Sequence, residues 1–104
     1  MANRLCRAVV ENPNHKSKFD SFEIMTMREY FDPFTGGTYF DEVRTASQYL
    51  DKHNSYGDIF YRVFAMYRNN SPKVARAIGD FNNIDDAVNF LCELTGETVK
   101  VQSY

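Results

Sequence analysis

Hydrophobic and polar positions change period three times in the second half of the chain. Ile59 to Arg68 reads as a strand, Lys73 to Asp80 as a second, Ile84 to Thr95 as a helix and Thr98 to Gln102 as a third strand. The helix is the clearest of these. Ile84, Ala87, Val88, Leu91 and Leu94 recur along one stripe with Phe90 at its border. Asn83 suits an N-cap, Asp85 and Asp86 suit the positive end of the helix dipole, and Gly96 follows the last turn.

The first half is less regular. Arg4 to Val10 predicts a short strand covered on both faces, ended by Glu11-Asn12-Pro13-Asn14, where proline removes a backbone donor. Phe19 to Phe31 carries two periods. Phe22, Ile24 and Thr26 alternate with Glu23, Met25 and Met27 as in a strand, while Phe19, Phe22 and Met25 recur at helical spacing. A strand over Phe22 to Glu29 is the expectation. Asp32-Pro33-Phe34-Thr35-Gly36-Gly37 breaks the chain. From Tyr39 to His53, the stripe of Phe40, Val43, Ala46, Ser47 and Leu50 predicts a helix capped by Thr38 and closed at Gly57.

Together these elements predict one α+β domain over residues 1–104, a small, mostly antiparallel sheet with two helices. Their order from Phe22 is that of the ferredoxin-like plan with an extra N-terminal strand, a plan that hosts many functions.

A four-residue turn over Asn69 to Pro72 pairs Arg68 with Lys73 and sets the hairpin register. Tyr61, Tyr67 and Arg76 then share one face with Val63, Val74 and Ile78. Ala75, Ala77 and Gly79 lie on the other, where small side chains would admit a helix. That places the core on the small-residue face and leaves Tyr61, Tyr67 and Arg76 on a face that either the N-terminal strand region covers or that serves as an interaction face, since Tyr and Arg are enriched in interface centres. Charge is segregated too. Ile59 to Gly79 carries only Arg62, Arg68, Lys73 and Arg76, and Asp80 to Glu97 only Asp80, Asp85, Asp86, Glu93 and Glu97. Arg68 and Lys73 join the candidate face, and Asp85 and Asp86 form an acidic helix start that could meet a basic partner.

Composition narrows the classes. A formal charge of −2 lacks the basic excess of a phosphate-binding domain. Cys6 and Cys92, far apart, predict free structural thiols in a reducing compartment, hence a cytoplasmic protein. The N-terminus lacks the apolar run of a signal peptide, and no stretch approaches the roughly 18 apolar residues of a membrane span. His15 and His53 stand apart from each other and from both cysteines, so no metal or cofactor is expected. Gly36-Gly37-Thr38 lacks the lysine of a phosphate loop, and Asp41-Glu42 and Asp85-Asp86 serve helix starts better than acid–base chemistry.

The function expected is a non-enzymatic binding or regulatory module acting by protein–protein contact: self-association, or modulation of a larger protein or nucleoprotein machine. Alternatives are a single-stranded nucleic-acid binder stacking bases on Tyr61 and Tyr67, and a small enzyme or ligand-binding domain.

Overall fold

The structure, a computed structural model, describes residues 3–50, 58–69 and 74–104. Eight elements follow in order: β1 (Cys6–Glu11), β2 (Phe19–Phe31), β3 (Thr38–Glu42), α1 (Ala46–Leu50), β4 (Phe60–Tyr67), β5 (Ala75–Phe81), α2 (Ile84–Thr95) and β6 (Val101–Ser103). The strands form one six-stranded antiparallel sheet in the order β5-β4-β2-β1-β6, with β3 also paired to β2.

The 13-residue strand β2 organises this sheet. β4 pairs along it from Phe19 to Met27, β1 from Ser21 to Met25 and β3 from Met27 to Phe31. Met27 faces Phe60 of β4 and Glu42 of β3 at once, so β3 continues β1's flank of β2. Thr26 closes the junction of β1 and β3. Its Oγ1 accepts from Cys6 N (3.1 Å) and donates to Cys6 O (2.7 Å), and its carbonyl accepts from Val43 N (2.8 Å). In a buried position each of these backbone groups needs a partner.

The ferredoxin-like plan does not describe these connections. It separates the strands flanking its first helix by another strand, whereas here β2 and β4 are direct antiparallel neighbours and β6 pairs with β1. The helix expected over Tyr39 to His53 is corrected over its first residues, while its expected end and the closing Gly57 lie outside the described residues. Thr38 to Glu42 is the return strand of a hairpin, stabilised by the cross-strand stack of Tyr30 on Tyr39 (centroids 5.6 Å apart). Asp41 and Glu42 therefore sit in a strand. The helix is confined to Ala46–Leu50 among the described residues and starts at a capping box. Thr45 Oγ1 accepts from Gln48 N, and Gln48 Oε1 accepts from Thr45 N and Arg44 N.

Cys6, Ala8 and Val10 of β1, Phe22 and Ile24 of β2, and Tyr61, Val63 and Ala65 of β4 form one buried face, covered by Ile84, Ala87 and Leu91 of α2. Arg28, on that same face by alternation, donates to the Gln48 and Tyr49 carbonyls of α1, so both helices lie on this side. The core face predicted for the β4–β5 hairpin is thus reversed. The predicted register itself holds for Met66↔Ala75 through Phe64↔Ala77, after which the ladder slips by one residue at Ile78. β-branched and aromatic side chains facing the sheet core outweighed the small residues of β5, which lies at the sheet's edge with Ala75 and Ala77 exposed. No described element packs on the opposite, outer face. The molecule's shortest dimension, 19 Å, is that of one sheet plus one helix layer.

Candidate interaction surface

Register places Arg7, Val9, Glu23, Met25, Met27, Phe60, Arg62, Phe64 and Met66 on the outer face of β1, β2 and β4. Phe40 of β3 pairs with Glu29 and joins this face. β3 and β4 flank β2 on opposite sides, yet the Phe40 and Phe60 rings meet edge to face at 5.7 Å, which requires them to lean over Met27. Met27 is accordingly only 6% exposed. The Arg62 guanidinium lies 4.8 Å from the Phe40 ring and 5.2 Å from the Phe60 ring, and donates to both oxygens of Asp80 (2.8 and 3.1 Å). The hydrogen bond to Asp80 holds the Arg62 pKa above its ordinary value. Arg7 pairs with Glu23 at 3.0 Å on the same face, so its central charges are compensated in place.

Beyond this face the β2–β3 hairpin extends as an arm. Its turn is built from its own polar groups. Asp32 Oδ1 accepts from Phe34 N, Asp32 O from Gly36 N, and Asp32 N donates to Gly37 O, each at 2.9 Å. Gly36 supplies the left-handed residue at φ 75°. The Phe34 side chain has no part in this scaffold, and the residue is 96% exposed. Tyr39 and Phe40 are about half exposed, at 48% and 50%. Between Glu29 and Val43 the chain carries Glu29, Asp32, Asp41 and Glu42 and no basic residue.

The residues singled out from sequence do not come together. Tyr61 is fully buried. Its hydroxyl donates to Arg4 O (2.6 Å) and accepts from Arg4 N (2.8 Å), and burial pushes its pKa up to about 12. It anchors the segment before β1 and cannot offer an interaction face. Tyr67 is half-buried against Phe19 (centroids 4.8 Å apart). Arg68 donates to the Ser17 and Phe19 carbonyls, tying the β1–β2 loop to the end of β4. Arg76 is exposed, and Lys73 lies outside the described residues. Asp86 takes part in a reciprocal cap: its N–H donates to Asn83 Oδ1, and Asn83 Nδ2 donates to its carboxylate. Asp85 stands with it in the first turn of α2.

A groove of about 830 Å³ at the arm end is lined by rings of Phe40, Tyr49 and Phe60 together with Arg28, Asp58 and Asp80. Its polar groups are largely engaged already, Arg28 by α1 and Asp80 by Arg62. Cys6 is buried beneath the sheet, and burial raises its thiol pKa, the opposite of nucleophile activation. Among the described residues no three His, Cys, Asp or Glu side chains are grouped to hold a metal, and no described helix is long and apolar enough to cross a membrane.

Sequence reading missed Phe34, Phe40 and Phe60. Phe40 was hidden by the helical stripe, although Thr38-Tyr39-Phe40 directly after a Pro–Gly–Gly turn carries the β-branched and aromatic signal of a hairpin return. Comparison with protein-family models, with curated proteins and with solved structures returns no match.

Proposed function

We propose that this chain is a non-enzymatic binding module that meets a protein partner through its aromatic, acidic β2–β3 arm and the adjoining outer face of the sheet. The observation that carries the reading is Phe34, 96% exposed at the tip of a turn already organised by Asp32. A turn backbone already fixed by hydrogen bonds lowers the ordering cost of burying the ring it carries, so Phe34 suits the anchor of an interface. Half-exposed Phe40 extends the apolar surface along the outer face, and half-exposed Tyr39, opposite Tyr30 on the helix side, adds a second ring to the arm. The acidic side chains around them disfavour nucleic acid and anionic lipid and favour a basic protein surface. The two free thiols fit work in a reducing, cytoplasmic compartment.

The test compares wild type with a Phe34→Ser, Tyr39→Ser variant as bait in an extract of the cells that make the chain, with Leu94→Ser on exposed α2 as control. Any protein retained by wild type and control but lost by the arm variant is then purified and titrated calorimetrically against all three. Binding weakened at least about tenfold by the arm substitutions alone supports the reading. Equal binding by all three baits, or no protein with that dependence, overturns it.

A further inference from the structure

The two ends of β2 carry opposite charge. At its finish stands the arm, with Glu29, Asp32 and Asp41 and no basic residue between Glu29 and Val43. At its start, the β1–β2 loop presents exposed Lys16 and Lys18, and the neighbouring end of β4 brings Arg68, while Arg76 stands opposite Ala65 on the helix side. Arg68 spends its donors on the Ser17 and Phe19 carbonyls, which neutralises none of its charge. Asp20 and Glu11 are the carboxylates beside this corner, and Ser21 Oγ donates to Asp20. At the arm's base Arg28 and Arg44 are already engaged, Arg28 by the α1 carbonyls and Arg44 by Glu42 at 2.6 Å.

These ends cannot meet within one molecule. β2 is a continuous 13-residue strand paired along its length, so at roughly 3.3 Å per residue its ends lie about 40 Å apart. The longest dimension of the molecule is 44 Å. Resting on the reading of the arm as a contact surface, we infer that its partner is a second copy of this chain, laid antiparallel so that each acidic arm meets the other's Lys16–Lys18–Arg68 corner. A two-fold axis makes both contacts at once and closes the assembly, whereas the parallel arrangement sets like charge against like. The outer face tolerates the approach because its own charges, Arg7 with Glu23 and Arg62 with Asp80, are paired in place.

The experiment is charge reversal read by light scattering. Glu29→Lys with Phe34→Lys and Asp41→Lys turns one arm from a formal charge of −4 to +1, and Lys16→Glu with Lys18→Glu makes one corner acidic. Phe34, Asp41, Lys16 and Lys18 are exposed and Glu29 is half-exposed, and circular dichroism checks the fold of each variant. The inference predicts a wild-type dimer at low salt whose dissociation constant rises at least about tenfold between about 0.05 and about 0.5 M salt. It predicts that each variant alone is monomeric and that their equimolar mixture recovers the dimer mass, since the mixed pair restores both contacts. A wild type monomeric at low salt overturns it, as does a dimer indifferent to salt or a mixture that stays monomeric. Should the chain be monomeric while arm-dependent capture of another protein persists, the second copy is excluded and the binding module stands. Loss of arm dependence in the capture excludes the module itself.

Discussion

Thr26 and Cys6 form a closed two-bond clasp across the sheet: the Thr26 hydroxyl takes the Cys6 N–H and gives its own proton to the Cys6 carbonyl, with both residues fully buried. The clasp sits between the first residue of β1 and the last of β3, and there a side chain does what a neighbouring strand does elsewhere along β2. Thr26→Val keeps the shape and leaves a buried donor and acceptor unsatisfied, so it is expected to cost about 3 kcal/mol. Thr26→Ser keeps both bonds and loses one methyl, costing about 1 kcal/mol. Urea unfolding of the two variants measures the difference, and a larger loss for Thr26→Ser than for Thr26→Val would mean that packing, and not the clasp, holds this junction.

Tyr61 links stability to alkaline pH. Its pKa rises from 10 in the unfolded chain to about 12 in the folded one, chiefly because burial penalises the phenolate. A raised folded pKa means that its contribution is fully present below pH 10 and is lost as pH rises towards 12. Tyr61→Phe should therefore be less stable than wild type at neutral pH by about 1–3 kcal/mol, through loss of both bonds to the Arg4 backbone. It should also lose less further stability between pH 10 and 12. Denaturant midpoints of both proteins across that range provide the check.

Two ion-pair partners on the outer face should respond unequally. The Asp80 side chain is 53% exposed, so Asp80→Asn should cost less than about 1 kcal/mol. Arg62→Ala should cost about 1–2 kcal/mol, because it also uncovers the Phe40 and Phe60 rings beneath the guanidinium. Thermal unfolding of the two single variants distinguishes them.

On the helix, Leu91→Ala should cost on the order of 2–5 kcal/mol, since Leu91 is fully buried against the sheet. Asn83→Ala should cost about 1 kcal/mol by removing the cap. Leu94→Ala, at a residue 50% exposed, should cost well under 1 kcal/mol.

α2 was readable in the sequence because its signals are local: a cap, an acidic first turn, a 3.6-residue stripe and a closing glycine, with Leu94 alone falling outside the buried face. The strand β2 was readable from its alternation, and the hairpin register followed from turn length as far as Ile78, where a bulge leaves no mark in composition. Two features depended on distant partners. Thr38 to Glu42 fits a helical stripe until Tyr30 and Phe31 are placed opposite it. Which face of β4 is buried is decided by α2, and both faces carry large apolar side chains, so alternation alone could not choose. The candidate site moved with that choice. Tyr61 went to the core, while the arm with Phe34 emerged from a segment read as a plain turn.

Adjacent residues on opposite sides of β4 offer the most direct measurement, because the binding module requires the helix side closed and the outer side open. Val63 is fully buried, and Phe64 is half-buried opposite Glu23 and Ala77. Unfolding free energies of Val63→Ser and Phe64→Ser, taken in dilute solution, compare the two faces at one step of the strand. An open outer face predicts a loss of about 3 kcal/mol or more at Val63 and about 1 kcal/mol at Phe64. A larger loss at Phe64 than at Val63 would mean that the outer face is the core and that no contact surface lies there.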